Sequence, residues 1–207
     1  MDRRTRKRME TRQAISDVAT RLFMERGFDR VTIDEIAEAA DVGRMTVFNH
    51  FPRKEDMFFD REQEIHDLAF DAIRTRAPGT SPIQALRLLA HQMIEHRTDA
   101  FPLFTDTRRF VETAQASEAL KARARQMRDD FVHALAGVLA DGVGRAADDL
   151  DAHLAAGLIA TTWSIAFIRA HAELSATGNI ATATSIFLRL IDRGLSGTHA
   201  AMDGTPF

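Results

Sequence analysis

Helical spacing of the apolar residues is the feature that most constrains this chain. Near the N-terminus, Ile15, Ala19 and Leu22 fall on one stripe of an amphipathic helix. Gly27 follows the stripe and supplies a helix stop. Similar stripes recur along the chain, and no run of strict apolar–polar alternation is long enough for a convincing strand. The pattern predicts an all-α protein of about nine helices.

Glycine and proline residues divide the later part of the chain into expected helices. Ser81 is a good N-cap residue, and Pro82 suits the first position of the helix that it opens. The tail after Gly197 is expected to be disordered. The helices beyond position 51 are predicted at about 53–76, 82–94, 102–110, 120–142, 149–174 and 180–195.

Composition narrows the class of protein. The 207 residues can bury a substantial core and allow one or two domains, and the absence of cysteine excludes disulfides and thiolate metal sites. No apolar stretch follows the basic N-terminus, so it is not a secretory signal. The longest uncharged apolar run, 154–168, has 15 residues, whereas a membrane-spanning helix needs roughly 20. We therefore expect a cytoplasmic protein that does not enter the membrane.

The net charge of −3 argues mildly against a nucleic-acid partner, but the distribution of charge matters more. Residues 1–12 hold six basic and two acidic side chains. The basic ones form a flexible-looking arm that can reach phosphate groups, although a solvated tail has the same composition. The residues of this basic arm are Arg3, Arg4, Arg6, Lys7 and Arg8.

The segment after Val31 has the signature of two short helices joined by a tight turn. Thr32 and Glu35 form a capping box, in which each side chain satisfies a free backbone N–H at a helix start. Asp41 tolerates the left-handed conformation of a turn, and Gly43 can cap the second helix. That helix is too short to form alone, so it must be held by packing.

Val47 and Phe51 are the expected anchors of the second helix, and its other side chains turn outward. Arginine can donate two hydrogen bonds to guanine, asparagine can pair with adenine, and threonine offers a hydroxyl and a methyl group. A helix-turn-helix over about 32–51 is therefore predicted to read the major groove of DNA. The outward side chains are Arg44, Met45, Thr46, Phe48, Asn49 and His50.

Over about residues 10–60 the sequence resembles the tetracycline-repressor (TetR) family. The resemblance implies that the outward side chains other than Phe48 enter the major groove, whereas Thr32 and Lys54 contact phosphate groups at its edges. The basic arm then follows the backbone or an adjacent minor groove. The matching residues are Ile15, Ala19, Leu22, Phe23, Gly27, Phe28, Val31, Thr32, Ile36, Ala37, Val42, Thr46, Val47, Phe48, His50, Phe51, Lys54 and Glu55.

Three positions depart from the family pattern without breaking the predicted fold. Phe48 stands where tyrosine is usual, which removes a hydroxyl-to-phosphate contact. Gly43 replaces the usual serine or threonine cap, and Asp41 replaces the usual turn glycine. Thr32 is first of all a helix cap, so its phosphate contact is secondary.

The chain is predicted to divide into a DNA-binding domain, 1–61, and an effector-binding and dimerisation domain, 62–207. The second part carries no catalytic constellation or zinc signature, so neither an enzyme nor a metal or cofactor site is predicted. The resemblance implies a helical shell around a small, largely apolar effector, although ordinary core packing explains the same aromatic residues. The candidate pocket residues are Phe70, Met93, Phe101, Phe104, Phe110, Phe131, Trp163 and Phe167.

The last two predicted helices are apolar on more than one side, and a helix buried all round needs a second partner. The resemblance implies a homodimer in which these helices of both subunits form a four-helix interface, so that the operator is a near-palindrome. The candidate interface residues are Leu154, Leu158, Ile159, Ile165, Phe187, Leu190 and Ile191.

Together these features predict a ligand-responsive repressor that binds a double-stranded DNA operator as a dimer and is released by its effector. The long helix expected from Arg53 would act as the lever of release. An activator of the same family and an architectural DNA-binding protein with little sequence preference are the alternatives. An enzyme with an incidental helix-turn-helix is a third alternative, which the missing catalytic constellation argues against.

Overall fold

A computed structural model describes residues 2–60, 62–96 and 105–207. Regular structure within these residues is entirely helical, as the apolar spacing predicts, with a short 3₁₀ turn at Phe28–Arg30. The α-helices there are α1 Arg3–Arg26, α2 Ile33–Ala39, α3 Arg44–His50, α4 Glu55–Phe58, α5 Glu62–Arg74, α6 Pro82–Glu95, α7 Thr105–Ala116, α8 Glu118–Asp141, α9 Leu150–Thr177 and α10 Ile180–Ala201.

The chain folds into two compact units. The first comprises Met1–Glu62 together with Arg109–Ala124, and the second comprises Gln63–Arg108 and Arg125–Phe207. The sequence-based division, between residues 61 and 62, lies next to the first of these junctions. It did not anticipate that a stretch around the α7–α8 junction packs with the N-terminal helices.

Phe58 lies at the centre of the core of the first unit. Its ring lies within about 6 Å of Phe23 and Phe28, and it stacks on Phe110 with a centroid distance of 4.2 Å. Phe110, predicted to line an effector pocket in the C-terminal domain, is half-buried and packs instead against the core of the first unit. The helical stripe of α1 is confirmed, since Ile15, Ala19, Leu22 and Phe23 are all buried here.

The predicted continuous helix over 53–76 is wrong. Helix α4 ends at Phe58, and α5 begins only at Glu62. Phe59 leaves the helical conformation with φ −102° and ψ 30°, and the next residue, Asp60, pairs with Arg12 of α1. The break between α4 and α5 is thus accompanied by an ion pair to a residue far away in the sequence. The local spacing of apolar residues cannot predict such a pair.

The second unit is built around α9 and α10, which pack along each other, with α6 against α10. Ser81 caps α6 by accepting a hydrogen bond from the backbone N–H of Gln84 at 3.2 Å, and Pro82 is its first residue, as predicted. By length and composition α9 also passes as a candidate membrane span, although a third of its most apolar window is buried inside the protein.

The expected disorder after Gly197 is wrong as well. Helix α10 continues through Ala201, six residues beyond its predicted end. Beyond it, Met202 and Phe207 are only 3% and 2% exposed and belong to the core of the second unit. Burial of these two apolar side chains keeps the C-terminal segment ordered. The segment was expected to be disordered because its other residues are small or polar.

Candidate nucleic-acid interface

The capping box predicted at the start of α2 is present. The Thr32 hydroxyl accepts a hydrogen bond from the backbone N–H of Glu35 at 3.3 Å, and the Glu35 carboxylate accepts one from the backbone N–H of Thr32 at 2.8 Å. The bond from the Thr32 backbone N–H, a second bond from the Thr32 hydroxyl to the carboxylate, and the charge of Arg26 lower the pKa of Glu35. The cap fixes where α2 begins, and it also occupies the Thr32 hydroxyl.

The turn between α2 and α3 has the geometry that its residues predict. Asp41 adopts a left-handed conformation with φ 52°, the only non-glycine residue in the described chain with a positive φ. The backbone N–H of Val42 reaches back to the carbonyl of Ala37 at 3.0 Å. Gly43 is the N-cap residue of α3 and offers no side-chain hydrogen bond. The tight turn sets α3 against α2.

Helix α3 has only seven residues and is held by packing, as expected. Val47 and Phe51 are 0% and 1% exposed. Arg12 of α1 covers the Phe51 ring at 4.0 Å and donates a hydrogen bond to the backbone carbonyl of His50 at 2.6 Å. Arg12, which the sequence interpretation did not single out, therefore fastens the C-terminal end of α3.

The opposite side of α3 faces outward. Arg44, Met45, Phe48 and Asn49 are exposed, and Met45 has the largest exposed fraction of the exposed apolar residues in the first unit. Thr46 and His50 are half-buried at the edges of this face. The exposed face of α3 thus carries side chains of the types that recognise base edges.

Arg44 is the one base-reading candidate with a partner on the neighbouring helix. Its Nη1 donates hydrogen bonds to Oδ1 and Oδ2 of Asp34 at 3.0 and 2.9 Å, and its guanidinium lies 5.6 Å from the Phe48 ring centroid. Sequence reasoning missed Asp34. From the sequence alone, Asp34 is an acidic residue in the first turn of α2. Such a residue indicates only a favourable interaction with the helix dipole.

The basic arm is helical, so the expectation of a flexible arm is wrong. Helix α1 begins at Arg3, because arginine, lysine, methionine and glutamate are good helix formers and no breaker interrupts them. The helix brings the arm beside the end of α3. A cleft of about 380 Å³ is lined by Arg4, Lys7, Arg8, Thr11, Asn49 and His50.

His50 lies in this cleft, and its surroundings favour the neutral form of its imidazole. Burial lowers its pKa first, and the nearby charges of Arg8 and Arg12 lower it further. A neutral imidazole offers one donor and one acceptor. His50 can therefore accept as well as donate a hydrogen bond beside three cationic side chains.

Lys54 makes its contacts inside the protein. Its Nζ donates to the backbone carbonyl of Val31 at 2.7 Å and lies 4.2 Å from the centre of the Phe28 ring. Burial lowers the pKa of Lys54, and the charge of Asp29 opposes that shift. The residue predicted to hold a phosphate thus ties α4 to the chain before α2, and only its remaining donors are open to an anion.

All the described pocket candidates except Phe110 belong to the core of the second unit or pack against it. In the second unit Phe70 stacks against Phe131 at 5.9 Å, and His66 stacks on the same Phe131 ring at 4.6 Å. Met93 lies in the core of this unit, and Trp163 packs edge-on against Phe187. Phe101 and Phe104 lie outside the described residues. That these residues line an effector pocket stays a prediction.

Phe167 contacts a residue that sequence reasoning missed. Its ring lies 4.3 Å from that of His171, whose side chain is fully buried. Neither ring nitrogen of His171 has a hydrogen-bond partner among the described residues. Burial lowers the pKa of His171 to about 4. The sequence around His171 does not indicate that its side chain is buried without a hydrogen-bond partner.

The predicted interface residues also separate by burial. Ile159, Phe187 and Ile191 are at most 1% exposed in the isolated chain, so the expectation that they form an interface is wrong: they have no area left to bury. Leu190 is half-buried against the same core. Leu154, Leu158 and Ile165 are exposed and share one face of α9 with further exposed apolar residues, Leu150 and Ile168.

Comparison with known proteins gives a short family match in the first unit and longer matches along most of the chain. The family of bacterial regulatory proteins named tetR matches residues 15–60. The HTH-type transcriptional regulator TcmR of Streptomyces glaucescens is 34% identical over 83 residues, which are 40% of this chain and 37% of TcmR. The chain thus spans well under half the length of this relative. The HTH-type transcriptional repressor KstR2 of Mycolicibacterium smegmatis is 27% identical over 181 residues, covering 80% of this chain and 82% of KstR2.

A solved structure extends the similarity along the chain. The crystal structure of Thermus thermophilus FadR, a TetR-family transcriptional repressor in complex with lauroyl-CoA, matches with a TM-score of 0.54 and 25% identity. The match covers 88% of this chain and 94% of FadR. All three proteins are named as transcription regulators or repressors, and none as an enzyme. Residues 15–60 therefore match the tetR family of bacterial regulatory proteins, and over most of its length the chain is similar to proteins named as transcriptional repressors.

Proposed function

We propose that this chain is a cytoplasmic repressor that binds a palindromic DNA operator as a homodimer and is released by a small, largely apolar effector. The exposed face of α3 carries the proposal. Arg44, Met45 and Asn49 project from a short helix whose other side is locked by Val47. A rigid helix that presents these side-chain types fits the major groove.

The cleft beside α3 supports contact with the DNA backbone. Arg4, Lys7 and Arg8 line it together with Asn49 of the recognition helix. Cations beside a groove-reading helix attract phosphate groups and release counterions from DNA. The basic end of α1 is therefore proposed to follow the backbone next to the bases that α3 reads.

The exposed apolar face of α9 supports a dimer. Leu154, Leu158 and Ile165 lie on it, and a soluble chain rarely leaves such a stripe in water. A second copy of the chain can cover the stripe with its own α9, which gives the two-fold symmetry that a palindromic operator requires. The same stripe explains why α9 is apolar enough to resemble a membrane span.

An effector site is proposed for the second unit. The FadR structure contains lauroyl-CoA, a ligand with a long apolar chain. The second unit of this chain carries buried or half-buried aromatic residues on several helices, including Phe131 and Phe167. A ligand that binds better to a conformation unsuited to DNA shifts the population toward it and releases the operator. Because α4 and α5 are separate helices, no continuous helix from Arg53 serves as the lever.

Selection of duplexes from a random pool by the purified chain tests the DNA-binding proposal. We expect an inverted repeat, with half-sites about 34–36 Å apart or a multiple of that distance. Arg44→Ala should weaken operator binding by roughly tenfold or more and relax base preference at one position of each half-site. Enrichment of no common sequence would instead favour an architectural DNA-binding protein.

A second measurement addresses the effector. Lauroyl-CoA is the first probe, because a relative binds it, and lauric acid and free coenzyme A separate the contributions of its two parts. We expect an effector to raise the melting temperature of the chain and to release it from the selected operator. A compound that releases the operator without binding to the free chain would contradict the mechanism.

A further inference from the structure

The ion pair between α2 and α3 has a geometry that bears on base recognition. Asp34 is the second residue of α2, and Arg44 is the first residue of α3. Both oxygens of the Asp34 carboxylate accept from the same nitrogen of Arg44, Nη1, at 3.0 and 2.9 Å. No other hydrogen bond of the Arg44 side chain is formed within the described part of the chain.

The remaining edge of the guanidinium is therefore open. Guanine presents its N7 and O6 acceptors side by side in the major groove, and they take two parallel N–H groups from one arginine. A guanidinium has two edges that can do this, and Asp34 occupies one of them at Nη1. The edge formed by Nε and Nη2 is left for a base.

The same contact restrains Arg44 before DNA arrives. A free arginine side chain samples many rotamers and loses that freedom when it binds. Contacts to Asp34 and to the Phe48 ring limit the positions of the guanidinium. The Arg44 side chain is thus partly ordered before DNA binds. This favours a base whose acceptors match the position in which the guanidinium is held.

The charge of Asp34 also opposes non-specific contacts. Its side chain is 66% exposed on a surface that meets phosphate groups under the proposed function. A carboxylate there repels the DNA backbone and keeps Arg44 from pairing with a phosphate instead of a base. A carboxylate at this position is expected to weaken binding to unrelated DNA more than binding to a sequence that Arg44 recognises.

We infer that Asp34 is a specificity-determining positioning residue, which holds Nη1 of Arg44 so that the Nε–Nη2 edge reads a guanine in each operator half-site. This inference rests on the proposed operator binding. It adds that Arg44 recognises guanine and that Asp34 is the residue that positions Arg44 to do so. Arg44 contacts the base, and Asp34 acts only through Arg44.

Asp34→Asn tests the inference, because it removes the charge and keeps the shape. Glu38→Gln is the matched control: Glu38 lies one turn further along α2, its side chain is exposed, and the same charge is removed without touching Arg44. Binding is measured by fluorescence anisotropy to the selected operator and to a scrambled duplex at one salt concentration. Thermal melting of each variant verifies folding.

We expect Asp34→Asn to lower the ratio of operator to scrambled affinity by about tenfold and to bind scrambled DNA more tightly than the wild-type chain. Glu38→Gln should raise both affinities alike and leave the ratio unchanged. In the Arg44→Ala background, Asp34→Asn should lower the ratio no further. An unchanged ratio, or full additivity with Arg44→Ala, overturns the inference.

Replacing a guanine of the operator by 7-deazaguanine keeps its pairing and removes the N7 acceptor. At the position that Arg44 reads, this replacement should weaken binding of the wild-type chain about tenfold and should have a smaller effect on Asp34→Asn. Equal effects on both proteins overturn the inference while leaving operator binding intact. Failure of the wild-type chain to select any sequence is the different result that removes the proposed function itself.

Discussion

Gly194 of α10 lies directly against Thr162 of α9, and no side chain fits between them. A Cβ atom added at Gly194 would lie 2.3 Å from Cγ2 and 2.6 Å from Oγ1 of Thr162. Threonine is branched at Cβ and cannot swing both atoms away. This close approach therefore sets how near α9 and α10 come to each other in the second unit.

Gly194→Ala should lower the free energy of unfolding by about 1–3 kcal/mol, because overpacking forces the helices apart. Gly197→Ala is the control, since it lies on the same helix and a Cβ there meets no atom within 4 Å. The control should be neutral or stabilising by up to about 1 kcal/mol through helix propensity. Urea unfolding measures both, and Thr162→Ala should rescue Gly194→Ala. Equal stabilities of the two glycine variants would show that the helices adjust freely.

His171 should make stability depend on pH. Its pKa of about 4 in the folded chain lies below the ordinary histidine value of 6.5, so the unfolded chain binds a proton more readily. The contribution to stability is fully present above pH 6.5 and is lost as pH falls from 6.5 toward 4. Complete loss amounts to about 3 kcal/mol at most.

His171→Leu should remove this dependence and raise the free energy of unfolding at pH 7 by about 1–3 kcal/mol, because two unsatisfied buried nitrogens are eliminated. Urea unfolding at pH 7 and pH 5 measures the difference. His199→Leu, at an exposed position of α10, is the control for losing a histidine at the surface. A wild-type chain that is equally stable at pH 7 and pH 5 would contradict the burial of an unpaired His171.

Local patterns predict much of this molecule because helix caps, turns and apolar stripes act within a few residues. The box of Thr32 and Glu35, the left-handed Asp41 and the inward Val47 all follow from such signals. The exposed face of α3 follows in turn, since fixing the inward side of a helix fixes its outward side.

Interactions between distant residues account for what local patterns miss. Phe110 was predicted to line a pocket, but it stacks on Phe58, which lies 52 positions earlier in the sequence. Asp34 pairs with Arg44 across the turn, and Phe207 closes the core of the second unit. None of these partners can be identified from the spacing around either residue alone, because tertiary packing selects them.

The exposed stripe of α9 should be required for dimerisation. Leu154→Glu places a carboxylate in the proposed interface, where it would be buried without a partner. We expect the variant to sediment as a monomer at micromolar concentration while it keeps the helical content of the wild-type chain. Leu88→Glu, at an exposed leucine of α6, is the control and should leave the dimer intact. A dimer that survives Leu154→Glu would locate the interface elsewhere.

The basic end of α1 should contribute affinity without sequence preference. Replacing Arg4, Lys7 and Arg8 by glutamine removes the cations that line the cleft beside α3. Each phosphate that a cation neutralises on duplex DNA contributes about 0.9 to the slope of log affinity against log salt concentration. The triple variant should therefore bind operator and scrambled DNA more weakly in similar proportion. Its slope should be shallower by about one unit for each phosphate that the variant no longer neutralises.

The matched control for this variant removes the same charge from the second unit. Arg125, Arg189 and Arg193 are exposed there, and their replacement by glutamine should change the salt slope little. Affinities for operator and scrambled DNA are measured for both triple variants at salt concentrations from about 50 to about 200 mM. Over this range, affinity for DNA falls roughly 10³-fold or more when a protein neutralises several phosphates. Equal reductions of affinity in the two variants would mean that net charge alone acts. The helical arm would then have no direct contact with the phosphate backbone.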